Sequence, residues 1–339
     1  MKSIQITRIG GPEVLQVVEN PDPEPGTGQV RVRVKAIGVN FADIMMRMGL
    51  YPGAPKTPFV PGYEAAGVVD RVGRGAEGVM AGMEVIVPTN YGGYADTLLV
   101  NSTELIPIPR GKPMAAAAAL AVNYLTAYEA LVHQGHLEDG QRVLIHGAAG
   151  GVGIAAIQIA KIFKANIFGT ASASKHEFLK EHGVDVCIDY NRQNFEKEIR
   201  KATNGQGVHI VLDPIGGVSF KRSYASLAKG GKLIIYGLSA ASSGKTRNLP
   251  RVLWQYWRTP NFKAMDLMTE NKGVIGIHLG RMTDQKELLK AHLSRIVGWW
   301  AEGQLDPIVG ASFPMALAGQ AHEYIQDRKN IGKVVLTPD

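Results

Sequence analysis

At 339 residues, 45% of them hydrophobic and 20% charged, the chain can bury two cores and has the make-up of a globular protein, which excludes a disordered or fibrous chain. The net charge of +7 comes from 37 Lys and Arg against 30 Asp and Glu without any polybasic run. Basic and aromatic residues do not recur at module-like spacing, so nucleic acid is excluded as a partner. The single cysteine, Cys187, excludes an internal disulfide and any multi-cysteine zinc site.

The N-terminal residues MKSIQITRIGG lack the long apolar core of a signal peptide. The most apolar stretch, residues 114–132, contains Asn123, Thr126 and Glu129, which argues against a membrane span. The expectation is a soluble, cytoplasmic protein. Residues 1–110 read as β-rich: 29–36 alternates apolar and polar with period two, and 65–72, 84–87 and 95–100 are further short strands set off by glycine turns. This regular spacing predicts a barrel-like β fold. Residues 115–131 then predict an alanine-rich helix.

From residue 141 onward strands and helices alternate. The run QRVLIHGAAGGVGIAAIQIAK (residues 141–161) passes from a short apolar strand, through a glycine-rich turn, to a helix. Strand, glycine turn and helix together form an anion-binding site, because the helix start offers unpaired N–H groups and a positive dipole end. Gly150, Gly151, Val152 and Gly153 are the residues placed there. Counting back from Gly153, Gly150 is in register with the dinucleotide fingerprint, while Ala148 stands where its first glycine would be. A glycine-rich helix start without a ligand is the competing reading. Strands follow at 165–170, 186–189, 208–213, 232–236 and 273–277, and helices at 175–182, 195–203 and 220–227. The alternation predicts a doubly wound parallel sheet with its ligand at the carboxyl ends of the strands. A last helix (284–302) and strand (333–336) are expected to return to the first domain. Cys187, in the apolar run 184–188, reads as a buried small hydrophobe.

The second strand of this sheet selects between cofactors. It ends in GTASASK (169–175), with no Asp or Glu before Glu177 to take a ribose 2′-hydroxyl. Ser172 and Lys175 suit a 2′-phosphate instead, and Tyr190 can flank the adenine ribose, so NADPH is favoured over NADH. A helix cap at Ser172 with a solvated Lys175 is compatible with the same residues.

Longer strings resemble the zinc-independent quinone oxidoreductase group, which includes zeta-crystallin, of the medium-chain dehydrogenase/reductase superfamily. They are NFADIMMRMGLYPG (40–53), PGYEAAGVVDRVG (61–73), GAAGGVG (147–153), LDPIGG (212–217) and IGKVVL (331–336). Within that group VNYLTAY (122–128), FGTASASKHE (168–177), IDY (188–190) and GIHLG (276–280) look closer still to the vesicle amine transport protein homologues. The resemblance implies a GroES-like substrate domain from residues 1–123 and 283–339, and a Rossmann NADPH-binding domain from 124–282, with the active site in the cleft between. It implies hydride transfer from NADPH to quinones or α,β-unsaturated carbonyls. Asn40 and Tyr63 occupy the segments where zinc-dependent relatives carry a cysteine and a histidine, so no metal site is expected.

Among residues carried over by resemblance, Asn40 lies near the nicotinamide and Tyr51 matches a tyrosine that donates a proton in related enoyl reductases. A turn aromatic is the alternative for Tyr51. Asp43 is grouped with them, more as the residue that orders the Asn40 loop than as a proton carrier. Thr126, Tyr236, Gly237, Ser239, His278, Leu279 and Lys333 are the further cofactor contacts implied. Met45 stands where bacterial quinone reductases have a tyrosine. The stretch 245–263, with Arg247, Arg251, Trp254, Trp257 and Arg258, reads first as a surface-packed helix; capping the cleft, joining a homodimer or resting on a membrane are the alternatives. A homodimer is expected through the GIHLG strand. The rival function is an NADPH-binding, crystallin-like or membrane-associated interaction protein with little catalysis.

Overall fold

The computed structural model describes residues 1–242 and 244–338. Two compact units emerge, Met1–Leu125 with Gly244–Arg247 and Thr283–Asp339, and Thr126–Ser243 with Asn248–Met282. The tetrapeptide Gly244–Arg247 joins the first unit because that unit holds it. Gln326 Nε2 donates to the Gly244 carbonyl (2.7 Å), and the Lys245 ammonium bonds Glu323 at 2.6 Å.

The first unit opens with a hairpin that the sequence reading did not predict, β1 (Lys2–Ile6) antiparallel to β2 (Leu15–Glu19). Then come β3 (Gln29–Val39), α1 (Phe41–Arg47), β4 (Glu64–Val72), β5 (Glu84–Pro88), β6 (Thr97–Asn101) and β7 (Ile106–Pro107). The helix expected over 115–131 is helical from Met114 to His133 but irregular. It passes through α2 (Met114–Ala117), a π turn at Leu120–Tyr124, α3 (Leu125–Tyr128) and a second π turn at Glu129–His133. By length and composition alone it could cross a membrane, yet 83% of its most apolar window is buried. It is a core helix.

The second unit follows as β8 (Arg142–His146), α4 (Gly151–Ile162), β9 (Asn166–Ala171), α5 (His176–Glu181), β10 (Val186–Asp189), α6 (Phe195–Ala202), β11 (Val208–Asp213), α7 (Val218–Ala225), β12 (Leu227–Ile235), α8 (Leu249–Trp257), α9 (Ala264–Glu270) and β13 (Gly273–Gly276). Its six strands are all parallel in the order β10-β9-β8-β11-β12-β13. That is the doubly wound order, and its switch point lies between β8 and β11. Leu144, Phe168, Ile188, Val211 and Leu233, one from each of five neighbouring strands, form a core with Phe195, Ile199 and Phe220 of the helices. Strands buried on both faces account for the nearly unbroken apolar runs of the sequence.

The chain ends in the first unit with α10 (Lys286–Ala301), β14 (Val309–Pro314), α11 (Ala318–Gln326) and β15 (Lys333–Thr337). Both β14 and α11 are additions to the sequence reading. Its main sheet runs β14-β15-β3-β4-β5-β7, with β6 also paired to β3. β15, among the last residues of the chain, therefore lies antiparallel to β3, Val334 opposite Val39 and Leu336 opposite Ile37.

Two glycines test opposite sides of this packing. A Cβ on Gly67 in β4 would lie 2.3 Å from the Arg33 carbonyl oxygen, whereas one on Gly298 in α10 would meet nothing within 4 Å. Gly67→Ala is expected to lower stability by about 1–3 kcal/mol through forced backbone movement. Gly298→Ala is expected to raise it by about 0.5–1 kcal/mol through the lost freedom of a mid-helix glycine. Urea unfolding of the two variants beside the parent protein checks both signs.

Candidate active site

In the second unit the residues singled out from sequence gather at the carboxyl ends of the parallel strands. The turn after β8 is built on Gly147, whose φ of +63° is a left-handed conformation that costs glycine nothing. The departure at Ala148 is thereby explained: the tight bend sits one residue earlier, and Ala148 is fully buried with its N–H bonded to the Thr170 carbonyl (3.0 Å). Gly150 caps α4 with no side-chain bond, leaving the first-turn N–H groups around Gly151, Val152 and Gly153 to a ligand. Gly153 has to be glycine, since a Cβ there would stand 2.4 Å from the Ala148 carbonyl oxygen. This is the close helix–strand approach that the fingerprint's last glycine permits.

Ser172 and Lys175 follow β9 in one tight turn, with Lys175 N–H bonded to the Ser172 carbonyl (3.0 Å) and Ser172 Oγ 3.2 Å from Ser174 Oγ. Ala171 is paired in register with Asp189 of β10, so Ser172 and Tyr190 leave the sheet side by side. Asp189 is the carboxylate that ends the neighbouring strand. It accepts the Asn191 N–H (3.0 Å) and is itself buried, so it is committed to its own turn. Tyr236, Gly237 and Ser239 leave β12 against the end of β11, where Ser239 N–H bonds the Pro214 carbonyl (2.8 Å). His278 and Leu279 follow β13. Thr126 is buried in α3 as the first residue of the unit. Glycine turn, open helix start and a second strand ending without a free carboxylate together fit a dinucleotide with a 2′-phosphate.

Beneath the glycine turn lies a polar chain that sequence reasoning missed. His146, fully buried, bonds Thr170 Oγ1 (3.1 Å) through Nδ1 and Ser223 Oγ (3.0 Å) through Nε2. Ser223 and Ser219 both donate to Asp213 Oδ2 at 2.7 Å. Burial pushes His146 below its ordinary pKa, so a neutral ring holds the ends of β8, β9 and β11 together. A histidine closing an apolar strand, with LDPIGG ending another, was the available sign.

In the first unit Asn40 precedes α1, and its carboxamide faces inward. Its Nδ2 donates to Glu64 Oε1 (2.9 Å) while its Oδ1 accepts from Lys333 Nζ (2.7 Å). Lys333 Nζ also pairs directly with Glu64 Oε1, and Glu64 Oε2 accepts the Val122 N–H (2.8 Å). Lys333, implied by the resemblance as a cofactor contact, holds its buried ammonium against Glu64 and Asn40, because an apolar interior tolerates a charge only when it is paired. The same ammonium would repel a metal ion beside Asn40, so these residues do not fit zinc.

Asp43, grouped with the catalytic residues, has no exposure to solvent. Its Oδ2 accepts the Asn40 N–H (2.8 Å) and the Tyr94 hydroxyl (3.1 Å), and Tyr94 in turn contacts His322 Nε2 (3.0 Å). Through these bonds it orders the Asn40 loop. Tyr51 is half-buried, with its ring 6.1 Å from Tyr63 at 56°. Glu64, Tyr94 and His322 were not foreseen, since only the pairing of distant strands brings them together. The stretch 245–263 forms a helix at the surface, shorter than the stretch itself. That helix is the nine-residue α8, which rests on the unit through the Arg251 Nε bond to the Ala240 carbonyl (3.0 Å) but leaves Trp257 77% and Tyr256 81% exposed.

Burial, opposed by the Asn40 N–H and the Lys333 charge, raises Asp43 to about 7. A carboxyl raised in this way holds its proton in the folded chain at pH values where the unfolded chain has lost it. Its contribution is complete below the unfolded value near 4 and is lost as pH rises through about 7. Asp43→Asn keeps an acceptor for Asn40 and Tyr94 but cannot ionise. The variant should therefore gain on the parent protein by roughly 1–3 kcal/mol between pH 5 and pH 8, read from urea midpoints. A difference that stays flat over that range would place the titration of Asp43 elsewhere.

Known proteins match this geometry over the whole chain. The family model for the alcohol dehydrogenase GroES-like domain covers residues 26–110, and that for zinc-binding dehydrogenases covers 151–294. The human synaptic vesicle membrane protein VAT-1 homolog is 38% identical over 100% of this chain and 86% of its own length. Among solved structures, Escherichia coli quinone oxidoreductase complexed with NADPH superposes with a TM-score of 0.86 at 28% identity, covering 100% of both chains. CurK enoyl reductase does so with 0.86 at 27%, covering 100% of this chain and 99% of its own. With a GroES-like domain, a doubly wound sheet and a relative this similar from end to end, the chain belongs to the medium-chain dehydrogenase/reductase superfamily of oxidoreductases, among its VAT-1 homologues.

Proposed function

We propose that this protein is an NADPH-dependent reductase of quinones or α,β-unsaturated carbonyls that works without a metal. The observation that carries the reading is the end of β9, where Ser172 and Lys175 share a turn and Asp189, at the end of the paired strand β10, is committed to its own turn. A quinone oxidoreductase complexed with NADPH and an enoyl reductase share the fold from end to end, which supports both cofactor and reaction class. NADPH supplies the hydride. The chain supplies the open helix start of α4 for the pyrophosphate, Lys175 for the 2′-phosphate, and Tyr51 as proton donor. Lacking a metal to polarise a carbonyl, such a site suits acceptors whose conjugation spreads the incoming charge.

Lys175→Ala should weaken NADPH binding by about ten- to a hundredfold and leave NADH binding unchanged, since the lost charge-assisted bonds serve only the 2′-phosphate. Nucleotide fluorescence titration reads both. With NADPH, the purified protein should turn over members of a quinone and enone panel. Tight NADPH binding with no turnover of any acceptor would leave the interaction-protein reading in its place.

The outer face of the second unit favours a role for self-association beside catalysis. β13 ends the parallel sheet, and beyond it no strand pairs among the described residues. Next to it in sequence, α8 and α9 expose Leu253, Trp254, Trp257, Met265 and Met268. Open edges and apolar patches of this kind are covered in working proteins, and we propose that a second copy covers them in a homodimer. Sedimentation equilibrium should give a dimer that Leu253→Glu with Trp257→Glu converts to monomer. A monomeric parent protein that co-sediments with anionic liposomes would assign the face to a membrane.

A further inference from the structure

The carboxyl ends of β8, β9 and β11 carry a set of side chains whose hydrogen bonds all run one way. His146 and Thr170 lie opposite each other where β8 pairs with β9, so their polar groups meet on one face of the sheet. Thr170 receives the two successive N–H groups of the glycine bend, Gly147 on its hydroxyl oxygen (3.3 Å) and Ala148 on its carbonyl (3.0 Å). A backbone N–H can only donate. With Gly147 donating to it, the Thr170 hydroxyl has one proton of its own to place. His146 Nδ1, at 3.1 Å, is its one acceptor among the described residues.

The far end fixes the same direction. Asp213, with no exposure to solvent, takes the Ile215 N–H on Oδ1 and the hydroxyls of Ser219 and Ser223 on Oδ2, each at 2.7 Å. Ser219 and Ser223 stand one turn apart on α7, which turns both toward the end of β11. A serine holds one proton. Having given it to the carboxylate, Ser223 accepts from His146 Nε2 at 3.0 Å. Both ends therefore demand one tautomer of His146, with Nδ1 bare and Nε2 protonated. Phe195 packs edge-on against the ring at 4.6 Å and 75°, which holds its orientation.

We propose that His146 and Thr170 are positioning residues for the anion-binding turn, acting through a one-way run of donors from the Gly147 N–H to Thr170, His146, Ser223 and the Asp213 carboxylate. This deepens the dinucleotide reading and rests on it. Each group accepts because the next one takes its proton, and the carboxylate at the end sets the direction for all of them. Pinned from beneath at Gly147 and Ala148, the bend is held before any ligand arrives, and the N–H groups at the start of α4 are aimed in advance. Donors ordered beforehand bind an anion without the cost of ordering them. NADH and NADPH share the pyrophosphate, so this device serves both and does not choose between them.

Thr170→Val keeps the size of the side chain and removes the hydroxyl, whereas Thr170→Ser keeps the hydroxyl. By fluorescence titration the valine variant should bind NADPH and NADH alike about tenfold more weakly, where Lys175→Ala weakens NADPH alone. The serine variant should recover most of that loss. Thermal unfolding scans establish that each variant is folded under the titration conditions. In the parent protein, NMR of 15N-labelled histidine at neutral pH, with the His146 signals assigned by their loss in His146→Gln, should show a bare Nδ1 and a protonated Nε2. The reverse tautomer or a doubly protonated ring would overturn the proposal. A valine variant that binds both nucleotides as the parent does, or a serine variant that recovers nothing, would do the same. Should the parent protein bind neither nucleotide, the dinucleotide reading fails on its own. The run of donors is then decided by the tautomer and by exchange of the Gly147 amide, which should be about tenfold faster in Thr170→Val; an unchanged rate overturns it.

Discussion

A lysine ammonium enclosed in a protein interior has to find a counter-charge, and much of the first unit is arranged around that demand. Lys333, Glu64 and Asn40 come from β15, the start of β4 and the residue before α1, three stretches far apart in the chain. Each uses its polar atoms on the other two. Neither charge is tolerable alone: breaking a buried pair from one side is far costlier than the pair's own net worth. The pair therefore fixes which side of Asn40 faces inward, and through the Asn40 N–H it sets Asp43, Tyr94 and His322 in order behind it.

The second unit meets a different demand with the opposite economy. Its glycine turn works by leaving N–H groups unspent, and the surrounding residues keep it so. His146, Thr170, Ser223 and Asp213 satisfy one another beneath the strand ends, which leaves the helix start as the open polar feature above them. A preformed site of this kind binds an anion without first giving up bonds of its own.

The second unit was largely legible in the sequence because its features are local. Period changes mark β8 and α4, glycine marks the turn, and the absence of Asp or Glu after β9 is read by inspection. The left-handed residue was harder, since glycine spacing pointed to position 148 while the backbone bends at Gly147. In the first unit legibility ended where strand pairing began. Lys333 in IGKVVL looks like a lysine on a strand near a cofactor; only the pairing of β15 with β3 turns it toward Glu64. The helix α11 buries just Ala318, Ala321 and His322, too small an apolar stripe to show a period. In α8 the apolar stripe was visible, but periodicity reveals a face and not what lies against it.

The pairing of β15 with β3 also bears on the order in which the chain acquires its structure. Strand β3 is made within the first forty residues, and its neighbour β15 among the last ten. On the ribosome, the second unit, interrupted only at Gly244–Arg247, is a nearly continuous stretch that can close its sheet during synthesis. The first unit must wait, with β3 lacking one edge partner and Glu64 lacking its cation, until β15 emerges. Between the making of β3 and that of β15 the sheet is half-finished, and β15 closes it. Removing Lys333–Thr337 would leave Ile37–Val39 of β3 unpaired on that side and strand the Glu64 carboxylate in the core.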